Sequence, residues 1–195
     1  MKKLVFAAAM TVLGFTSINA QEREKGDIEL APYVQYTSSF FNGDNANSEN
    51  SRSSASFGVK ADYFFNDRWS LRSGINYDSM GAKDSFDEAE LNYINIPLNA
   101  NWHFGSTRKW NLNFGVTPGF LTKAEFNGVD IKEFQEPFQL GISYGVGYKL
   151  EVSNSFSVLF DFQGLVGVTN INKTVSDVTT LNAGSGFGIG GVFKL

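Results

Sequence analysis

Ile94-Asn95-Ile96-Pro97-Leu98-Asn99-Ala100-Asn101-Trp102-His103-Phe104 places Ile94, Ile96, Leu98, Ala100, Trp102 and Phe104 on one side and Asn95, Pro97, Asn99, Asn101 and His103 on the other. Period two over this length predicts an extended strand with one bulky apolar face and one small, hydrogen-bonding face. The pattern recurs along the chain. Upstream, Ile28, Leu30, Pro32, Val34 and Tyr36 alternate with Glu29, Ala31, Tyr33 and Gln35. Phe57, Val59, Ala61, Tyr63 and Phe65 alternate with Ser56, Gly58, Lys60 and Asp62, and Trp69, Leu71, Ile75 and Tyr77 stand opposite Arg68, Ser70, Arg72, Asn76 and Asp78. Downstream, Trp110 to Phe120, Phe138 to Leu150, Phe156 to Val168 and Ala183 to Leu195 repeat it. The count is eight strands, most near the roughly 9–11 residues that cross a bilayer at a tilt.

The two faces decide the environment. A water-soluble barrel turns its bulky residues inward. Here the other face is rich in glycine, serine and asparagine, which suits the narrow interior of an eight-stranded barrel. The bulky face is therefore assigned to lipid. The fold class is all-β, an eight-stranded antiparallel up-and-down transmembrane barrel. Connections alternate in length. The segments 65–68, 105–109 and 151–155 are tight, whereas 37–55, 79–90, 123–137 and 170–181 are long and polar. Short periplasmic turns and long outer loops give this order when both termini are periplasmic. Trp69, Trp102 and Trp110 each adjoin a short turn and are expected to form a periplasmic aromatic belt, joined by Phe104, Tyr148 and Phe156. Tyr36, Tyr77, Tyr93 and Phe138 are assigned to the outer belt.

Met1-Lys2-Lys3, an apolar stretch from Leu4 to Phe15 and Thr16-Ser17-Ile18-Asn19-Ala20 read as a secretory signal cut between Ala20 and Gln21. Residues 1–20 are the signal peptide, exported through the Sec pathway, and 21–195 the barrel domain. Loss of Lys2 and Lys3 takes the formal charge from -4 to -6, which argues against a nucleic-acid partner. The chain has no cysteine and one histidine, so an exported domain must take its stability from a core or a membrane, and transition-metal sites are disfavoured. Aromatic residues at 15% without a long apolar run after the signal fit a membrane barrel better than a helical bundle.

The inward charges Glu29, Lys60, Asp62, Arg72, Asp78, Lys149 and Asp161 form a candidate lumen cluster. Buried charges must be paired or hydrated. A salt-bridged structural plug and a gate for small ions both fit, and the narrow bore favours the plug. His103 faces inward at the periplasmic end, where a hydrogen-bonded structural role is preferred over a general base. Gly186 to Gly191 matches G-x-G-x-x-G, but no helix follows to hold a pyrophosphate. Acidic residues of the second and third long loops (Asp84, Asp87, Glu88, Glu90, Glu125, Asp130, Glu133, Glu136) lack calcium-loop spacing and read as solvated. Asn172-Lys173-Thr174 is a chance sequon. No catalytic, cofactor or metal site is assigned.

Several motifs carry a family resemblance. Tyr93-Ile94-Asn95-Ile96-Pro97-Leu98, Gly167-Val168-Thr169-Asn170-Ile171, Phe138 to Tyr148 and the closing Gly188 to Leu195 resemble strands of the porin-like, PorT-like outer-membrane β-barrel family, of OmpX-type architecture. The resemblance implies the bacterial outer membrane, lipid as the surrounding partner, and recognition of the terminal strand (Phe193 third from the end, Leu195 last) by the barrel-assembly machinery. It implies no shared chemistry. The expected role is non-enzymatic, structural or surface-exposed. A narrow passive pore and a lipid-modifying enzyme are the alternatives, and any extracellular partner is unspecified.

Overall fold

The computed structural model describes residues 23–44, 50–174 and 178–195. The signal-peptide reading of residues 1–20 lies outside the described residues. The elements are β1 (Ile28–Gly43), β2 (Arg52–Phe64), β3 (Trp69–Lys83), β4 (Glu88–Asn95), β5 (Leu98–Phe104), β6 (Trp110–Phe126), β7 (Val129–Asp130), a 3-10 turn (Lys132–Phe134), β8 (Phe138–Glu151), β9 (Phe156–Gly167) and β10 (Thr180–Lys194). All pairings are antiparallel, and the ring closes where β1 pairs with β10, Glu29 opposite Lys194 and Gly43 opposite Thr180. Closure removes the free sheet edges that a lipid solvent could not satisfy.

Ten strands make eight walls. β4 and β5 both lie between β3 and β6, one above the other, so they are halves of a single wall. The break falls at Ile96-Pro97. Proline has no N–H to give to the ladder, while the Ile96 N–H still donates to Pro118 O at 2.9 Å. β7 pairs only with the far end of β6 and belongs to a loop.

Strands extend further into the polar segments than the alternation of bulky residues indicates. β1 runs to Gly43, β2 begins at Arg52, β3 and β4 meet across residues 84–87, and β6 continues to Phe126. These rims alternate polar with polar, so hydropathy gives no period to detect. Gly81 needs its lack of a side chain. Its φ is +139°, and a Cβ there would lie 1.9 Å from Ala89 O.

The outward face matches the alternation. Val34 (58% exposed), Phe57 (54%), Ile75 (63%), Phe114 (55%), Ile142 (52%) and Phe187 (72%) project from the wall. Such a continuous apolar surface far exceeds what a water-soluble monomer presents. Among the described residues no helix is long and apolar enough to cross a membrane.

Tyr93 corrects the outer-belt assignment. It is fully buried (0% exposed) and points into the lumen. Ile94 occupies the outward face, so its neighbour takes the inward one. A register shift at Asn92/Tyr93 sets Tyr93 against Leu121 and Leu91 against Ala124. The extra residue leaves Thr122 and Lys123 both exposed, so Leu121 and Ala124, three apart, both face inward.

Candidate functional site

The lumen is filled in levels. At the end with short turns, Glu29 takes two cations: Lys149, in direct contact, and Arg23 Nε at 2.8 Å. Arg23 precedes β1 and folds back into the mouth, where its guanidinium also donates to Arg108 O at 3.2 Å and lies 5.2 Å from the centre of the Phe64 ring. Lys149 Nζ stands 5.5 Å from the same ring. Phe64 is wholly buried, an aromatic inside a polar bore that gives two cations a π face. Lys109 pairs with Glu151 nearby at 3.2 Å.

One level up, Arg72 holds Asp62 through Nη2 at 2.9 Å and Nε at 3.2 Å, and its Nη1 lies 3.9 Å from Asp161. Lys60 is in contact with Asp161 and sits 4.0 Å above the Tyr33 ring. Ser70 and Asn101 donate to Asp62, each at 2.9 Å. His103, 0% exposed, lies beside them, its Nε2 3.0 Å from Ser70 Oγ and 3.2 Å from Asn101 Nδ2. His103 Nε2 thus joins the hydrogen-bonded group around Asp62 through Ser70 and Asn101.

Six members of the predicted lumen cluster (Glu29, Lys60, Asp62, Arg72, Lys149, Asp161) thus form ion pairs. Asp78 stands apart and accepts from Asn95 Nδ2 at 2.6 Å. Arg23, Lys109 and Glu151 complete the network and escape the alternation argument, because they lie at or beyond the strand ends where polar residues are ordinary.

Glycines give these side chains room. A Cβ at Gly147 would meet Asp161 Oδ1 and Asn111 Nδ2 within 2.8 Å, and one at Gly145 would overlap the Gln163 amide. Small inward residues therefore stand opposite large polar ones, rather than forming a uniformly small lining.

Toward the end with long loops the lumen turns apolar. Met80, Leu91, Tyr93, Leu121, Ala124 and Ile171 make a buried cluster, with Phe41, Ile131 and Leu165 packed on it. Ile171 arrives from the β9–β10 connection. Tyr93 OH and Gln139 Oε1 both accept from Asn182 Nδ2, at 3.2 and 2.8 Å.

On the outside, Trp69 and Trp102 are cross-strand partners with ring centroids 6.2 Å apart. Trp102 contacts Phe104 at 5.1 Å, Phe104 lies 6.4 Å from Trp110, and Trp110 is 4.9 Å from Tyr148. One aromatic strip therefore runs over β3, β5, β6 and β8 beside the short turns.

At the opposite rim, Arg52 bonds Glu88 at 2.9 Å, Glu90 at 2.7 Å and Ser79 at 2.8 Å. Lys83 takes the other oxygen of Glu88 at 2.6 Å, and Lys123 pairs with Glu125 at 2.9 Å. The carboxylates of Glu88, Glu90 and Glu125, at the rims of β4 and β6, are thus held by cations of the chain. Among the described residues no group of three or more His, Cys, Asp or Glu is arranged to hold a metal ion.

The profile of the outer membrane protein β-barrel domain matches residues 19–173. The chain belongs to that family. The barrel is similar in structure to the outer membrane protein OprG from Pseudomonas aeruginosa, at 14% identity, with 90% of this chain and 98% of that one covered and a TM-score of 0.55. It is also similar to Neisserial surface protein A, NspA, at 15% identity, 86% and 97% coverage and a TM-score of 0.58. The outer membrane protein AlkL, determined in lipid bilayers, matches at 11% identity, 88% and 91% coverage and a TM-score of 0.52. At these identities the likeness speaks for the fold. A search of curated protein sequences finds no match. The barrel is an outer membrane protein surrounded by lipid, and its wall of eight antiparallel strands is the OmpX-type architecture.

Proposed function

We propose that this outer-membrane barrel is a non-enzymatic, structural or surface-exposed protein whose lumen conducts no solute. One observation carries the reading: two successive levels of side chains fill the bore. The ion-paired level contains Lys60, Asp62, Arg72 and Lys149, each no more than 4% exposed, and the apolar level contains Leu91, Tyr93 and Ala124, each no more than 1% exposed. An eight-stranded barrel has room for little else. The charge cluster acts as a plug, not a gate, because opening it would strand buried charges without partners. The aromatic strip of Trp69, Trp102 and Trp110 marks the periplasmic interface, and the long loops face the exterior. Export runs through the Sec pathway with cleavage of residues 1–20, and the barrel-assembly machinery inserts the chain with β10 as its closing strand.

Planar-bilayer recording of the refolded protein tests the plug directly. The expected trace has no reproducible conductance steps. Regular single-channel steps that vanish on boiling the sample overturn the plug and leave the narrow pore. Cell fractionation with heat-dependent gel mobility checks the address: the folded barrel should travel with outer membranes and migrate differently before and after boiling.

A further inference from the structure

The seam where β1 meets β10 lacks one hydrogen bond. Leu195 N–H donates to Ile28 O at 3.0 Å, which sets the parity of the seam. Leu30 with Phe193 and Val34 with Ile189 are therefore pairs that exchange both of their bonds. Pro32 and Gly191 stand between them in the same parity. Proline has no N–H, so the Gly191 carbonyl points at β1 and receives no N–H from it, and the ladder is interrupted at that pair. The lumen offers no substitute there, because Ala31, Leu159 and Val192 make a buried apolar cluster behind the seam. In a wall surrounded by hydrocarbon an unpaired carbonyl is costly.

The lipid side of the same spot is hollow. An open groove of about 960 Å³ crosses the wall, with Pro32, Ala61 and Gly191 in its floor and Phe57, Phe156 and Ile189 along its edges. That volume lies at the upper end of the range for small-molecule sites. With no side chain on Gly191, its carbonyl is left uncovered on this side. Depth narrows the occupant. Phe193 and Phe156, their ring centroids 5.1 Å apart, sit beside the last short turn. Two residues at about 3.4 Å each, on a strand tilted by about 40°, put Gly191 about 5 Å further in. In a bilayer that is the level of the first few atoms of an acyl chain.

We propose that the groove binds a lipid that carries a hydrogen-bond donor, an amide N–H or a hydroxyl, within the first few atoms of an acyl chain. The chain fills the groove, and its donor bonds the Gly191 carbonyl that Pro32 leaves unpaired. An ordinary diacyl phospholipid has only ester oxygens at that level. These accept and cannot donate, so such a lipid fills the groove without making the bond. The site needs only the lipid-facing wall. It depends neither on a closed lumen nor on which leaflet meets the short turns.

The test uses the full barrel refolded into phosphatidylcholine nanodiscs that hold equal amounts of three phosphate-headed lipids. These are ceramide phosphate, a phosphatidic acid with acyl chains hydroxylated at the third carbon, and dipalmitoyl phosphatidic acid, which has no donor in its chains. Native mass spectrometry reads which of them leaves the disc with the protein. Donor lipids should be retained about three- to tenfold more often than dipalmitoyl phosphatidic acid, the return on one hydrogen bond. Retention of ceramide phosphate alone assigns the donor to the amide, and retention of both shows that a hydroxyl suffices. Pro32→Val supplies the missing N–H from the chain itself, so the preference should vanish while all three lipids still bind. Ala61→Leu fills the floor and should lower the retention of all three. Heat-dependent gel mobility checks that both variants fold. In solid-state NMR of the wild type, the Gly191 carbonyl carbon should shift when a donor lipid replaces dipalmitoyl phosphatidic acid. Equal retention of the three lipids by the wild type overturns the proposal. So does a preference that survives in Pro32→Val, or a Gly191 carbonyl that does not respond to the donor lipids.

Discussion

Arg72 shows how a charge is kept inside a wall that faces lipid. It bonds Asp62 through two nitrogens and leans on Asp161, so its removal orphans carboxylates that cannot reach water. Arg72→Ala should cost about 3–5 kcal/mol, the range for breaking one side of a buried pair. Urea titration of the barrel in liposomes, followed by tryptophan fluorescence, measures it, and unchanged unfolding sinks the structural role of the pair. Phe64 offers a second case. It is buried between Arg23, Lys149 and His103, whose ring lies 4.9 Å away. Phe64→Ala should cost about 3–5 kcal/mol by loss of packing, and the same titration reads it. At the outer rim Asp84 accepts the N–H groups of Phe86 and Asp87, both at 2.8 Å. These bonds hold its carboxyl below the usual aspartate range. A lowered value in the folded turn means that the turn is favoured above the ordinary aspartate pKa and loses that support as pH falls through the lowered one. NMR titration should therefore find the Phe86 and Asp87 amides moving at a pH under the ordinary aspartate value, and Asp84→Asn should abolish the movement. Tyr93 was misplaced for a reason visible at this scale. A tyrosine beside an apolar run has the chemistry of an interface residue, and only its parity with Ile94 places it inside.

Strands carried the clearest signal because their faces differ in solvent. Leu112, Phe114 and Val116 face lipid while Asn111, Asn113 and Thr117 face the lumen, each of the latter no more than 2% exposed. A charge on the first face meets hydrocarbon. Phe114→Arg should destabilise the barrel by about 2–4 kcal/mol if its site is near the bilayer midplane, and less if it lies near an interface. Comparison with Trp110→Arg, beside the short turn, checks the depth dependence in the same liposomes. Equal costs would contradict the proposed position of the tryptophan strip. Other element-level features were hidden. The break at Ile96-Pro97 leaves alternation intact, so β4 and β5 read as one strand. The bulge at Asn92/Tyr93 shifts the period and disguises Leu121 and Ala124 as residues of opposite faces. Rims of β1, β2 and β3 read as loop because both of their faces meet polar surroundings.

At the scale of the molecule, closure brings together groups that are remote along the chain. Lys60 and Asp161 are 101 positions apart, and Glu29 and Lys149 are 120 apart. The amino-acid order was enough for eight walls, for which side of each meets lipid, for the inward charges within the strands though not for Arg23, Lys109 and Glu151 at their ends, and for the alternation of short and long connections. These are local consequences of a two-residue repeat and of turn chemistry. Which inward charge meets which, that Asp78 forms no ion pair among the described residues, and that an apolar cluster caps the polar bore all depend on register and stagger around a closed ring. No single strand contains that information, because the partner across the lumen is set by how seven other strands are stacked beside it.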